Sequence, residues 1–260
     1  MNGNSEYVSL WITPPLAVIT MADHEARNAI RPGLHHGLQR ALGAAVDRND
    51  VRVVVVTGLP DVFCAGAARE ALLNVEGGLS HEDYEPFARS FPHCPLPVVS
   101  AMNGHAIGGG LVFGLYADVP VLSERSIYAA NFLQYGMAPY VGATEVIPAR
   151  LGEALGSEMI LTARGYRGSE LRSRGASVLV VPHSEVLETA CALARRIAQA
   201  PRPSLELVKK QLSARLLSAT DAAMQAELEP HLATASLQYV RDLARSGYGP
   251  PAPSRVASEL

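Results

Sequence analysis

A glycine run in the middle of the chain has residue types that suit the binding of a negatively charged oxygen. Residues 103–114 read NGHAIGGGLVFG and follow an apolar segment, 96–102, that predicts a buried strand. The small and apolar residues from the glycine triplet onward predict a buried helix. Glycines at such a junction let the main chain approach another group and leave the first helical N–H groups unpaired. Those donors, at the positive end of the helix dipole, suit an oxyanion, although tight packing would also explain the glycines.

A second strand-to-helix junction lies upstream. Residues 51–57, VRVVVVT, predict a strand, and the small residues of FCAGA at 63–67 precede a helix-forming segment. Two junctions on parallel strands could aim two main-chain N–H groups at one point, which is the geometry of an oxyanion hole. The two stretches together favour a site that stabilises charge on a carbonyl oxygen.

These two motifs, in this order, resemble the signatures of the crotonase (enoyl-CoA hydratase/isomerase) superfamily, and the resemblance covers about residues 8–241. It implies an α/β fold, a crotonase-type spiral of ββα units with a helical C-terminal region used for trimerisation. It also implies assembly as a homotrimer or a dimer of trimers. The oxyanion donors that it implies are the main-chain N–H groups of Ala67 and Gly109.

Two positions at which the hydratases of this family carry catalytic glutamates hold apolar residues here, namely Val112 and Phe132. A side chain without a titratable atom cannot activate water or transfer a proton, so ordinary hydration of an enoyl thioester is not expected. Decarboxylation fits a site that has oxyanion donors but no carboxylate base. When a carboxylate is lost from a carbon that is conjugated through a double bond to the thioester, the electron pair flows to the carbonyl oxygen and no base is needed. A protein carboxylate nearby would repel the substrate's own.

Within the superfamily, three segments resemble the polyketide β-branching decarboxylases: residues 102–117, 128–132 and 165–168. Those enzymes convert a 3-methylglutaconyl thioester, carried on an acyl carrier protein, into a 3-methylcrotonyl thioester with loss of carbon dioxide. The resemblance therefore implies a lyase that acts through a dienolate stabilised by the oxyanion hole. It implies an acyl carrier protein as partner and no cofactor, the acyl group being held on phosphopantetheine or CoA.

Two histidines are the predicted catalytic side chains. The resemblance implies a histidine in the C-terminal helix, and His231 is its counterpart. It also implies a lysine in the loop before the glycine-rich strand, but residues 1–208 contain no lysine, and His81 stands at that place. An imidazole there could hydrogen-bond the leaving carboxylate and, when protonated, donate a proton. Tyr84 and Arg69 are the alternatives to His81 for this role.

The chain has eight histidines, and the other six are interpreted as surface or packing residues. His105 lies inside the glycine motif, but its neighbours would act through the backbone, so a structural role is predicted for it as well. The rest of that group are His24, His35, His36, His93 and His183. The His and acidic residues show no metal-ligand spacing, and the glycine run lacks the patterns of nucleotide sites, so neither a metal nor a nucleotide is expected.

Two other functions stay open from the sequence alone. One is a different reaction of the superfamily, hydration or isomerisation of an enoyl-CoA with another set of catalytic residues. The other is a catalytically inactive scaffold on the same fold. The intact pair of oxyanion motifs weighs against a scaffold, although the same motifs also define the fold.

Composition sets the remaining limits. The 260 residues are 48% hydrophobic and 18% charged, which favours a large folded core over disorder. A formal net charge of −3 gives no electrostatic reason to expect nucleic acid or a membrane surface as partner. Three scattered cysteines without a Cys-x-x-Cys pair suit a reducing compartment. With no signal-peptide pattern and no apolar segment of membrane-spanning length, we expect a cytoplasmic protein.

Hydrophobic patterning predicts strands that alternate with helices, and hence a mainly parallel sheet. Residues 7–13 and 16–21 predict a hairpin, 31–47 a helix with a four-residue apolar stripe, and 143–151 and 153–162 two further helices. The C-terminal part predicts helices at 204–217 and 221–245, the second bent or divided at Pro230. We expect a ββα core over residues 1–200, a helical trimerisation region at 201–246 and a disordered, proline-rich tail at 247–260.

Overall fold

The structure is a computed structural model that describes residues 3–68 and 81–247. Its strands form three sheets. The strands are β1 (Val8–Thr13), β2 (Leu16–Met21), β3 (Ala29–Ile30), β4 (Val53–Thr57), β5 (Val62–Cys64), β6 (Gly66–Ala67), β7 (Val98–Met102), β8 (His105–Ile107), β9 (Val119–Ser123), β10 (Ile127–Ala129), β11 (Gly165–Arg167) and β12 (Leu179–Val181).

The largest sheet has six strands in the order β1-β2-β4-β7-β9-β12. The predicted hairpin is confirmed, since β1 and β2 pair antiparallel. From β2 to β12 all neighbours run parallel. A second sheet has the order β11-β10-β8-β5, and β3 pairs with β6 in a third. The carboxyl ends of several parallel strands thus lead into loops on one side, as in other α/β folds that bind ligands there.

The sequence of β4 shows why the large sheet is covered on both faces. Its valines are continuous because a parallel strand buried on both faces needs no polar alternation. Val54 and Val56 belong to the apolar cluster that includes the first helix and the glycine-rich helix. Val53 and Val55 belong to a second cluster on the opposite face, formed with a helix near residue 190. The large sheet is therefore the middle layer between two sets of helices.

The helices are α1 (Pro32–Val46), α2 (His81–Ala88), α3 (Ser90–His93), α4 (Gly109–Leu115), α5 (Ala143–Leu151), α6 (Glu153–Thr162), α7 (Gly168–Ser173), α8 (Val186–Ile197), α9 (Arg202–Ala235) and α10 (Gln238–Gly247). Two 3-10 turns occupy Leu133–Tyr135 and His183–Glu185. The predicted helices at 143–151 and 153–162 are confirmed. Nowhere in residues 3–68 and 81–247 is a helix both long and apolar enough to cross a bilayer.

The C-terminal helices differ from the prediction. The chain does not break between residues 217 and 221, and α9 runs without interruption through Thr220 and through Pro230 to Ala235. The intervening Ser-Ala-Thr contains no helix breaker, and the Thr220 hydroxyl bonds back to the Leu216 carbonyl inside the helix. The helix ends instead at Ser236, before α10 begins. Pro230 therefore lies inside the helix and does not divide it.

Candidate active site

Gly66 brings the two predicted oxyanion loops together. It precedes Ala67 in β6, which pairs with β3, and its φ of +86° is one that favours glycine. A Cβ added at Gly66 would lie 2.4 Å from the Ile107 carbonyl oxygen and 3.6 Å from the Gly109 nitrogen. The predicted donors Ala67 and Gly109 therefore belong to segments that lie in close contact.

The three consecutive glycines each have a separate structural reason. Gly108 has a φ of +53°, and its N–H donates to the Ala129 carbonyl of β10 at 2.7 Å. Gly109 opens α4, so its N–H lies ahead of the first intrahelical donors. A Cβ at Gly110 would lie 2.4 Å from the Cys64 carbonyl oxygen. Helix α4 can therefore press against β5 only because residue 110 has no side chain.

Two side chains flank Gly109. A Cβ at that position would lie 3.3 Å from Cδ1 of Ile30 and 4.0 Å from Cε1 of Tyr84. Ile30 is fully buried in β3, whereas Tyr84 is half-buried on α2. From the sequence, Tyr84 is only an alternative to His81. Its ring nevertheless lies next to a predicted oxyanion donor.

The two positions that carry glutamate in the hydratases are apolar in the structure as well as in the sequence. Val112 is fully buried in α4, and Phe132 is buried at the start of the first 3-10 turn. Both belong to the main apolar cluster, together with Ile30 and Tyr140. An acid–base group is therefore absent from both positions, and apolar packing fills them.

His231 lies on α9 and is 8% exposed. Its Nδ1 is 2.8 Å from the Ala138 carbonyl oxygen, and its ring stacks on Tyr140 with centroids 5.0 Å apart. A carbonyl can only accept a hydrogen bond, so Nδ1 carries the proton and donates. Nε2 is then the nitrogen that can gain or lose a proton. A ring with one nitrogen fixed in this way has the form of an oriented acid–base group.

Hydrogen bonds join loop 138–144 to the helix of His231 and to the residue that follows the glycine-rich helix. Ala138 accepts from His231, and the Val141 carbonyl accepts a 2.9 Å hydrogen bond from the hydroxyl of Tyr116, the residue that follows α4. Burial raises the pKa of Tyr116, so its hydroxyl stays a donor at neutral pH. The loop therefore joins the two regions in which the predicted catalytic groups lie.

The other predicted side chains have different outcomes. His81 is the first residue of α2, but its side chain lies outside the described part of the chain, as does Arg69 altogether. The structural role predicted for His105 is confirmed, because its Nδ1 accepts the Ile127 N–H at 2.9 Å. Burial, followed by nearby arginines, lowers the pKa of His105. Nδ1 of His183 donates a hydrogen bond to the Asn103 carbonyl at 2.9 Å.

Glu227 is not among the residues predicted from the sequence, and it is buried one helical turn before His231. The signal available in the sequence was its spacing, since residues four apart lie on one helix face. Its burial depends on loop 138–144, about which the pattern says nothing. Among residues 3–68 and 81–247, no group of three or more His, Cys, Asp or Glu could hold a metal ion.

Comparison with known proteins gives a consistent result. The family model for enoyl-CoA hydratase/isomerase matches residues 12–246. Bacillaene synthase decarboxylase PksI of Bacillus subtilis is 36% identical over 231 residues, 89% of this chain and 93% of PksI. A probable enoyl-CoA hydratase of Rhodobacter capsulatus is 33% identical over 228 residues, 85% of this chain and 87% of the relative.

Solved structures agree with the sequence relatives. A structure from a dehydratase/decarboxylase enzyme couple involved in polyketide β-branching has a TM-score of 0.88 and 36% identity, covering 94% of this chain and 100% of that one. The decarboxylase domain of CurF from Lyngbya majuscula has a TM-score of 0.85 and 33% identity, covering 93% and 99%. The predicted crotonase fold is confirmed, and the chain belongs to the enoyl-CoA hydratase/isomerase family.

Proposed function

We propose that the protein decarboxylates a 3-methylglutaconyl thioester on an acyl carrier protein to the 3-methylcrotonyl thioester, in polyketide β-branching. The observation that carries the proposal is the pairing of two facts about one site. The loops of Gly66 and Gly109 lie in close contact, as two oxyanion loops would, while the positions of the hydratase glutamates hold Val112 and Phe132. The similarity to PksI and to decarboxylases of β-branching supports the same reaction.

The chemistry follows from the substrate's conjugation. The thioester oxygen accepts hydrogen bonds from the N–H groups of Ala67 and Gly109. The bond from the γ-carbon to the carboxylate breaks, carbon dioxide leaves, and the electron pair moves through the double bond onto the thioester oxygen. An oxyanion donor of this kind is worth about a hundred- to a thousandfold in rate. Protonation of the resulting dienolate at the γ-carbon gives the 3-methylcrotonyl thioester, so the reaction consumes one proton.

His231 is the proposed source of that proton. In the charged ring, the Nδ1–H stays on the Ala138 carbonyl. The Nε2–H is the proton proposed to pass to the dienolate. His81 is the proposed second partner of the carboxylate, in place of the lysine of similar enzymes. Tyr84, next to Gly109, is the alternative that has a described position.

We further propose a homotrimer or dimer of trimers in which residues 201–246 form the interface and residues 1–200 the catalytic core. Support comes from α9, where Leu207, Val208 and Leu212 are 65%, 54% and 55% exposed, an apolar surface typical of contact sites. The free thiols of Cys64, Cys94 and Cys191 suit a cytoplasmic location. The proposed reaction uses no cofactor. The predicted disordered tail, from residue 248 onward, lies outside the described residues.

Mass spectrometry of 3-methylglutaconyl-carrier protein, with and without the enzyme, tests the function. We expect the acyl group to lose carbon dioxide only when the enzyme is present, and His231→Ala to slow that loss. Crotonyl-CoA, assayed in parallel, tests the alternative of a hydratase, which the Rhodobacter relative keeps open. Turnover of crotonyl-CoA alone would favour the hydratase, and inactivity on both thioesters would favour a scaffold.

A further inference from the structure

Glu227 is a buried carboxylate whose oxygens are held by a neighbouring helix. It is 6% exposed. Its Oε2 accepts the Gly142 N–H at 2.8 Å, and its Oε1 accepts the Thr144 N–H at 2.8 Å and the Thr144 hydroxyl at 2.6 Å. Gly142 and Thr144 belong to the N-terminus of α5, whose dipole favours a negative charge there. A buried carboxylate is tolerated when several donors satisfy it in this way.

The same helix face holds the other end of that loop. His231, four residues after Glu227, donates through Nδ1 to the Ala138 carbonyl, and the Thr234 hydroxyl accepts the Ala138 N–H at 2.9 Å. Residues at this spacing point to one side of a helix. Loop 138–144 is therefore fixed to α9 at both ends, by His231 and Thr234 at its start and by Glu227 at its finish.

The loop has a backbone shape that needs such support. Val141 has a φ of +61° and Gly142 a φ of +78°. The left-handed region is unfavourable for a β-branched residue and persists only where surrounding contacts impose it. At Gly142 an added Cβ would lie 2.4 Å from the Tyr116 hydroxyl, so no side chain fits there. Without Glu227, the N–H groups of Gly142 and Thr144 would lose their acceptor, beside the two residues with left-handed φ values.

We infer that Glu227 is a positioning residue for His231. By holding the end of loop 138–144, it fixes both groups of that loop that orient the imidazole, the Ala138 carbonyl on Nδ1 and the Tyr140 ring on its face. It thereby keeps the proton on Nδ1 and directs Nε2 to one place. Glu227 does not touch the substrate in this scheme. The inference rests on the proposed function in that His231 is taken as the proton donor.

The test is Glu227→Gln, with Glu188→Gln as a control outside the proposed interface. Glutamine keeps the size of the side chain, but its amide group would face the N–H and O–H donors of Gly142 and Thr144, so at least one hydrogen bond is lost. Glu188 is an exposed glutamate on α8. We expect Glu227→Gln to lower kcat by roughly ten- to a hundredfold, because small misplacements of a reacting group have effects of that size. KM should change less than about twofold, and Glu188→Gln should match the parent.

A second readout does not need turnover. Nitrogen-15 NMR of labelled histidine gives the protonation of each ring nitrogen, and His231→Ala identifies the His231 signals. We expect the parent to show the Nδ1-protonated ring and Glu227→Gln to show a mixture of the two neutral forms. Parent kcat together with parent signals in Glu227→Gln would overturn the inference. So would a large loss of kcat with unchanged signals, which would mean that Glu227 acts on the substrate itself.

A milder variant tests the same inference without removing the buried carboxylate. If Glu227→Gln does not fold, Thr144→Val removes only the hydroxyl donor to Oε1 and keeps the backbone bonds. It should shift kcat and the His231 signals in the same direction by a smaller amount, and parent values for both would overturn the inference. Failure of the proposed function is distinguishable, because it would show as an inactive parent enzyme whose His231 signals still respond to Glu227→Gln.

Discussion

The hydroxyl of Tyr116 donates a 2.9 Å hydrogen bond to the carbonyl of Val141. Both residues are buried, and Tyr116 follows directly on the glycine-rich helix that begins at Gly109. Val141 lies in the loop whose Ala138 carbonyl holds His231. The hydrogen bond therefore connects the two parts of the proposed site, the backbone donor for the thioester oxygen and the imidazole that supplies the proton.

Replacing Tyr116 by Phe tests this connection through stability. The change leaves the Val141 carbonyl buried without its donor, which costs about 1–3 kcal/mol. Thermal melting should show a clearly lower Tm. Tyr239→Phe is the control, because the Tyr239 hydroxyl makes the same kind of bond to the Gly136 carbonyl but is 48% exposed. Equal Tm values for the two variants would contradict the structural importance of the buried bond.

The close contact between α4 and β5 is tested by adding one methyl group. In Gly110→Ala the new Cβ would lie 2.4 Å from the Cys64 carbonyl oxygen, so the start of α4 must move and the Gly109 N–H with it. We expect decarboxylation to fall by at least about a hundredfold, as when an oxyanion donor is lost. Gly43→Ala in α1 is the matched control, since its Cβ would meet nothing within 4 Å and alanine favours a helix. Full activity of Gly110→Ala would contradict the proposed oxyanion site.

Hydration of crotonyl-CoA should be negligible. Val112 and Phe132 fill the positions of the hydratase carboxylates and offer no proton acceptor for water. A spectrophotometric assay of the conjugated thioester measures this directly. A kcat within tenfold of a typical enzyme value of ~10 s⁻¹ would exclude the view that the protein acts as a decarboxylase alone.

How much the sequence predicted depends on the length of each element. The valine run of β4 and the helices at 143–151 and 153–162 have enough residues for their pattern to be read. Strands β3 and β6 have two residues each, too few for an alternating pattern, although they carry the Ala67 loop. Helix α9 was predicted as two helices because its face carries no sustained apolar period, its buried residues including Lys209, Thr220 and Glu227.

The site shows the same limit. The oxyanion loops and His231 could be named because the residues themselves, with the family resemblance, indicate them. Glu227 could not be named, because its partners lie 83 and 85 positions away in the sequence. They belong to a loop whose left-handed residues are not indicated by any local sequence pattern. Buried polar contacts of this kind depend on tertiary structure, whereas periodicity reports only which face of a helix or strand is apolar.

Stability should decrease at mildly acidic pH, in part because of His105. Burial lowers the pKa of its folded form, and Nδ1 must stay unprotonated to accept the Ile127 N–H. The unfolded chain, with a pKa near ~6.5, then binds the proton more readily than the folded one. This contribution is present above pH ~6.5 and is lost as pH falls toward the lower folded pKa. Melting from pH 7.5 to 5 should show a smaller decrease for His105→Asn, and identical slopes would contradict this role.

Removing the imidazole of His231 should slow decarboxylation more than it affects folding. His231→Ala loses the proposed proton donor, and we expect kcat to fall by roughly a hundredfold or more. His36→Ala is the control, because His36 is an exposed histidine on α1. Single-turnover assays on the 3-methylglutaconyl thioester measure the step. If both variants matched the parent, His231 would not be the acid.

His81, the first residue of α2, stands where similar enzymes carry lysine. If it binds the substrate carboxylate as a cation, His81→Lys should retain activity, and the activity should persist to higher pH. The reason is that lysine stays charged up to a pKa near ~10.4, whereas imidazole loses its charge near ~6.5. His81→Ala should be impaired but folded. The pH–rate profiles of parent and variants, measured beside thermal melts, distinguish these outcomes. A His81→Ala profile identical to the parent's would move the role to Arg69 or to Tyr84, whose ring already lies beside Gly109.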